Sequence, residues 1–194
     1  MIKRILFILF VLAAFNTSAQ VPASSHDADI DSMFAANAKA DSILKANLAR
    51  DTYIDVVVLD VTGEVNDWED IIGKENESLL VKMIKAHEKK TTDEIAIVTT
   101  NDIGPFGTDL DDYSLRLANK VGVGKKDKNN GVTIVISQKL RKMRIDTGLG
   151  IGEKLSDAEC KRIIDDIMIP EFKKDDYEAG ITKGLAEIIR LLEQ

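Results

Sequence analysis

The spacing of apolar residues changes period several times along the chain, and each change marks a new element. From Asp31 to Leu48, with Ile30, Met33, Phe34, Ala40, Leu44 and Leu48 recurring at helical intervals, the pattern predicts a helix with a modest apolar stripe. Its Ala-rich remainder suits a helix outside the core, or one that meets a partner. Tyr53 to Leu59 then runs Ile54, Val56, Val57, Val58, Leu59, a β-branched series that predicts a strand. After a turn at Thr62-Gly63 and the polar run Val65-Asn66-Asp67-Trp68, Leu80, Met83, Ile84 and His87 share one face of a helix spanning about Glu75 to Lys89. His87 falls in its last turn, where a partly exposed cap residue is expected.

Glu94 to Thr100 (EIAIVTT) reads as the next strand, and Gly104-Pro105 and Gly107 mark a loop. Thr108 is placed to cap a helix carrying Leu110, Tyr113, Leu117 and Val121, which Gly122 and Gly124 are expected to end. Gly131 to Ser137 (GVTIVIS) is apolar enough for a central strand, and Met143 to Asp146 alternates like a strand with one wet face. The short turn between them predicts a hairpin. Ser156-Asp157-Ala158-Glu159 is a capping box that opens a helix expected to stop at Pro170. The last helix starts near Asp175 or Asp176 and buries Tyr177, Ile181, Leu185, Ile188 and Leu192. This order of elements says α/β, with helices covering a mixed central sheet that contains the hairpin.

The first residues carry a different signal. Lys3 and Arg4 precede an uninterrupted apolar stretch from Ile5 to Phe15, and Asn16-Thr17-Ser18-Ala19 is the polar, small-residue end that a signal peptidase reads. The stretch is short for a bilayer span, which needs about 20 residues. Residues 1–19 are therefore expected to be a signal peptide cleaved after Ala19, residues 20–51 a leader with an N-terminal amphipathic helix, and residues 52–194 an α/β domain. The mature protein is expected to be periplasmic or secreted, with no membrane span after signal cleavage. Removing residues 1–19 takes two cations and no acid, so the formal net charge falls from −7 to −9. Nucleic acid is excluded as a partner on that balance, because phosphate binding needs a basic face.

Cys160 is the lone cysteine, so no intrachain disulfide forms; its spacing with Ile163, Ile164 and Ile167 predicts a buried, inert thiol. With only His26 and His87 present, a Ser-His-Asp or Cys-His catalytic system has little to work with. Oxygen donors concentrate instead in three loops: Val65-Asn66-Asp67, Asp127 to Gly131, and Asp146 to Gly150 running on to Ser156-Asp157. Carboxylate and amide oxygens are what calcium or magnesium needs, although Asn, Asp and Gly also serve turns for backbone reasons. The middle loop is not an EF-hand: with Asp127 at position 1, glycine falls at position 5 and Gln138 at position 12. If residues 131–137 and 143–147 pair, Asn129 and Asn130 come close to Asp146 and Gly148, while Asp67 is expected at the opposite sheet edge near Asn101 and Asp102. Gly148-Leu149-Gly150-Ile151-Gly152 lacks the third glycine of a dinucleotide fingerprint, where Glu153 stands.

Taken together, VNDW (65–68), DEIAIVTT (93–100), DYSLRLANKVGVGKKDKNNGVTIVIS (112–137), RKMRIDTGLG (141–150), LSD (155–157) and IMIPEFKKDDYEAGI (167–181) resemble the TPM domain family. The family is named for thylakoid-lumen, photosystem II repair and nematode channel-modulator proteins and is common in bacterial envelopes. The resemblance implies a Rossmann-like three-layer sandwich with helices on both faces, divalent-cation binding in some members, and acid phosphatase activity reported for plant members. By position, Asp67 matches the acidic residue of the family's Val-x-Asp motif, and Asn129-Asn130-Gly131 matches its Asp-Asn-Gly, with Asn129 where aspartate is usual. An amide keeps an oxygen ligand and loses a charge and any general-base role. The expected metal ligands are Asp67, Asp127, Asn129, Asn130 and Asp146, for Ca2+ or else Mg2+ or Mn2+. The function expected is a cation-binding interaction or assembly factor with an envelope protein partner. The alternative is a metal-assisted phosphatase acting on phosphate monoesters, in which Asp67 and Asp127 help hold the ion.

Overall fold

The computed structural model describes residues 26–194. The expected signal peptide lies outside the described residues. The chain divides into two compact units at Leu44, each treated by itself. Helix α1 (His26–Leu59) begins in the first unit, where Ile43 and Leu44 are exposed. Everything below concerns Lys45 onward.

The centre is β3 (Gly131–Ser137), buried at every position. A strand covered on both faces must be apolar on both, which is why GVTIVIS does not alternate. β2 (Glu94–Thr99) pairs with it in parallel, and β1 (Val65–Asp67) pairs in parallel with β2. β4 (Lys142–Thr147) returns antiparallel to β3, giving the expected hairpin and a sheet in the order β1-β2-β3-β4. Three residues with a polar centre are too few for a period to show, so β1 is legible only through its ladder partner.

The period-two pleat sends alternate side chains to two cores. Ile95, Ile97, Val132, Ile134, Ile136 and Ile145 face one layer with α2 (Lys74–Thr91), α4 (Asp157–Arg162) and a later helix. Val98 and Val135 face the other with α3 (Leu110–Val121), where Leu110, Tyr113 and Leu117 are buried. The fold is thus α/β with helices on both faces of a mixed sheet. Among the described residues, no helix is long and apolar enough to cross a membrane.

Three expectations are corrected. Residues 53–59 are not a strand but the continuation of α1. Tyr53, Ile54 and Val57 fall at helical spacing in the cluster that holds Phe106 and Tyr113, while Asp51 and Asp55 turn outward to pair with Arg116 and Lys120. Packing on α3 overrides the β-branched run. Nor does the helix of residue 157 onward stop at Pro170. After α4, residues Ile163–Met168 widen into a π-helix that leads to α5 (Ile169–Phe172), with Pro170 in the opening turn. Proline lacks an N–H and is tolerated in a first turn, where that donor is unpaired anyway. The last helix, α6 (Tyr177–Leu192), is capped by Asp176 accepting from Ala179 N. Finally, His87 is 1% exposed rather than a surface cap. Its Nδ1 lies 3.5 Å from Glu193 Oε1 and its Nε2 lies 3.2 Å from Thr91 Oγ1, because the end of α6 folds over α2.

Candidate functional site

The predicted oxygen donors fall at the two ends of the sheet. At the end where β2 and β3 begin, Asn130 is buried and organises the loop around it. Its Oδ1 accepts from Lys125 N at 2.9 Å, and its Nδ2 donates to Thr92 O and Asp93 Oδ1, each at 2.9 Å. Gly148 N donates to Gly131 O at 2.8 Å and Gly150 N to Asn129 O at 2.9 Å, so the hairpin brings Asn129, Asn130 and Gly148 together as its geometry requires. Gly148 and Gly150 are needed there, since a Cβ on either would sit 2.0 and 1.8 Å from the Asn129 and Lys128 carbonyl oxygens respectively. Asp146, in β4, turns to the α3 side, where Ser114 donates to its Oδ2 and Arg144 Nε to its Oδ1. Asp127 and Asn129 are exposed, and Asn129 holds a left-handed φ of 49°.

Asp67 lies at the opposite edge, beyond the C-terminal ends of β1 and β2. Its Oδ1 accepts from Thr99 Oγ1 at 2.5 Å and from Ile71 N at 3.2 Å; its Oδ2 accepts from Ile72 N at 2.7 Å. The five residues therefore do not converge on one point. Calcium takes six to eight oxygens. Asp67, Asn130 and Asp146 already give oxygens to protein donors, and among the described residues no group of three His, Cys, Asp or Glu side chains is arranged for a metal. Of the five, Asp127 and Asn129 are the exposed residues whose side chains make no hydrogen bond or ion pair among the described residues.

Two adjoining crevices open at the C-terminal edge, in line with the rule that open α/β sheets hold ligands outside the carboxyl ends of their strands. The larger, about 770 Å³, has Ile136, Met143, Ile164, Ile169 and Phe172 as its apolar lining and Arg141, Lys173 and Asp175 among its polar residues. The smaller, about 490 Å³, is polar and shares Arg141, Asp175 and Tyr177 with it. Glu69 fixes the turn between them, its carboxylate accepting from Gln138 N at 2.8 Å and Lys139 N at 3.2 Å. Sequence reasoning missed these residues, because they lie on four separated segments with no common motif. The left-handed backbone of two non-glycine residues there, Arg141 (φ 52°) and Asp175 (φ 61°), has no reliable sequence signature.

Burial pushes the Cys160 thiol up to about 11, so it stays protonated and unreactive at neutral pH, as its apolar spacing suggested.

The sequence pattern of the TPM domain matches residues 65–191. No curated protein matches the chain. Among solved structures, the N-terminal domain of a P. gingivalis protein is similar at 32% identity and a TM-score of 0.61, covering 66% of this chain and 81% of that one. The BA42 protein from the psychrophilic bacterium Bizionia argentinensis is 21% identical with a TM-score of 0.53, covering 64% and 83%. The N-terminal domain of a Corynebacterium glutamicum protein is 16% identical with a TM-score of 0.52, covering 66% and 78%. The last two share the fold alone.

Proposed function

Since the chain belongs to the TPM domain family, we propose that it is an exported binding module of the cell envelope, acting by contact with a protein partner rather than by bond cleavage. The observation that carries this reading is how the acidic side chains are used. Asp67, the carboxylate a phosphatase of this family pattern would rely on, holds the Thr99 hydroxyl and two backbone amides. Asp146 is held by Arg144 and Ser114, and residue 129 is an amide that cannot act as a base. Carboxylates occupied by internal donors are structural clamps. Export is supported by the charged, apolar and small-residue order of residues 3–19.

Divalent cation, most simply calcium, binds weakly in this reading. Asp127, Asn129 and nearby carbonyls would hold it, the rest of its shell being water. A calcium titration followed by amide NMR tests the assignment. Millimolar calcium is expected to shift signals in 125–131 and 146–150 and to leave those around Asp67 in place; no shift in either loop overturns the cation assignment. The binding-module reading is tested separately by incubating the purified protein with a generic phosphate ester, at about pH 5 to 8, with calcium, magnesium or manganese. Phosphate release that disappears in Asp67→Asn would overturn it in favour of a phosphatase.

A further inference from the structure

We infer that the crevice at the C-terminal edge of the sheet is a binding site for a small amphipathic anion, an apolar body carrying one anionic head. This rests on the crevice alone and is independent of the cation reading, which concerns the other end of the sheet.

Three observations converge. The first is the lining. Ile136 and Met143 from the hairpin, Ile164 and Ile169 from the rod of residues 157–172, and Phe172 enclose a volume of about 770 Å³. That is the size of a small-molecule pocket, and its lining is mixed, apolar side chains alternating with charged ones. Phe172 stacks on Tyr177 with ring centroids 4.7 Å apart, which makes one wall a rigid aromatic face.

The second is the charge at the mouth. Lys142 is held by the Thr108 carbonyl at 2.6 Å and Asp111 by Arg144 at 2.9 Å, while Asp109 caps α3. Arg141, Lys173 and, in the adjoining crevice, Lys139 have no side-chain hydrogen bond or ion pair among the described residues, and the one acid left similarly unpaired at the mouth is Asp175. Across both crevices the cations Lys139, Arg141, Lys142 and Lys173 face the acids Glu69, Asp109, Asp111 and Asp175, so what the mouth offers an anionic head is three cationic side chains free to reach it, not an excess of charge.

The third is the backbone. The far wall is supplied by Ile164 of the π-helical stretch Ile163–Met168 and by Ile169 and Phe172 of α5 just after it, and π-helical turns recur at functional sites. Arg141 and Asp175, on opposite sides of the shared mouth, both hold left-handed φ without being glycine. Strained backbone that the surrounding structure enforces concentrates at ligand sites.

The probe is 8-anilinonaphthalene-1-sulfonate, whose naphthalene body and sulfonate head match the site. The folded protein is expected to bind it saturably, one per chain, with unchanged near-UV circular dichroism. Arg141→Ala with Lys173→Ala should weaken binding by about tenfold, the loss of a charge-assisted contact. Met143→Trp, which fills the slot from an existing half-buried position, should abolish it. Decanoate and phenyl phosphate, added as competitors, separate an acyl carboxylate source from a phosphate ester source. Displacement by either supports the site and names its source. Binding that does not saturate, that survives both variants in correctly folded protein, or that a neutral anilinonaphthalene matches in strength would overturn the inference.

Discussion

Asp67, the last residue of β1, sits directly opposite Thr99 in the parallel ladder and accepts its hydroxyl hydrogen bond at 2.5 Å. The same carboxylate takes the amides of Ile71 and Ile72, so one side chain closes the end of the β1–β2 pair and starts the loop into α2.

Removing that carboxylate leaves a hydroxyl and two amides to find new partners. Asp67→Ala is therefore expected to destabilise the fold by about 2 to 4 kcal/mol in urea denaturation, from stranded donors and lost charge-assisted bonds. Asp67→Asn, which retains an acceptor oxygen, should cost clearly less. Equal losses in the two variants would show that the charge, not the acceptor geometry, matters.

A second test lies in the hairpin. Gly150→Ala would push a methyl into the Lys128 carbonyl, which belongs to backbone and cannot swing aside. A destabilisation of about 1 to 3 kcal/mol is expected from the forced shift. Amide signals of residues 127–131 should move as well, because the two loops share a hydrogen bond.

Tyr113 offers the opposite sign. Its ring is fully buried against Phe106, with centroids 5.5 Å apart, while its hydroxyl makes no hydrogen bond of good geometry and has only the Thr100 side chain as a polar neighbour. Desolvation raises the phenol's pKa, so it stays neutral at any ordinary pH. Tyr113→Phe keeps the packing and removes a buried, poorly paired hydroxyl, and a gain of up to about 1 kcal/mol in thermal or urea unfolding is expected.

Acid stability has an identifiable contributor in Glu187. Arg190 and Arg162 hold its carboxyl down to about 2, against an ordinary value of 4.5. A depressed carboxylate pKa stabilises the fold fully above 4.5 and loses that contribution as pH falls toward 2. Glu187→Gln should flatten this part of the stability-versus-pH curve, measured between pH 5 and 2 by denaturation.

Cys160 supplies a check on the core. With its thiol buried and raised to about 11, labelling by a disulfide reagent at neutral pH should proceed only as fast as the protein opens. Fast labelling of the folded protein would contradict the packing of α4 on the sheet.

Much of this architecture is legible in the order of residues alone, for a local reason. GVTIVIS, EIAIVTT and the stripes of Leu80, Ile84, Leu117, Ile181 and Leu185 each carry their period within a few turns of chain, and burial on one face enforces that period. The hairpin, the capping box at Ser156 and the separation of Asp67 from Asn130 follow from the same short-range information. Tertiary structure decided the rest. Residues 53–59 have β-branched content but are helical because Phe106, in the turn before α3, and Tyr113 of α3 offer a surface that a helical face can cover. His87 is buried because the distant Glu193 covers it. Asp67 and Asp146 proved to be clamped rather than open because Thr99 across the ladder, Ser114 from α3 and Arg144 along β4 meet them only in the folded chain. The crevice beside Arg141 has no trace in any one segment, since it is the space left between four of them. Periodicity reports what a residue faces; only the assembled chain determines what faces it back.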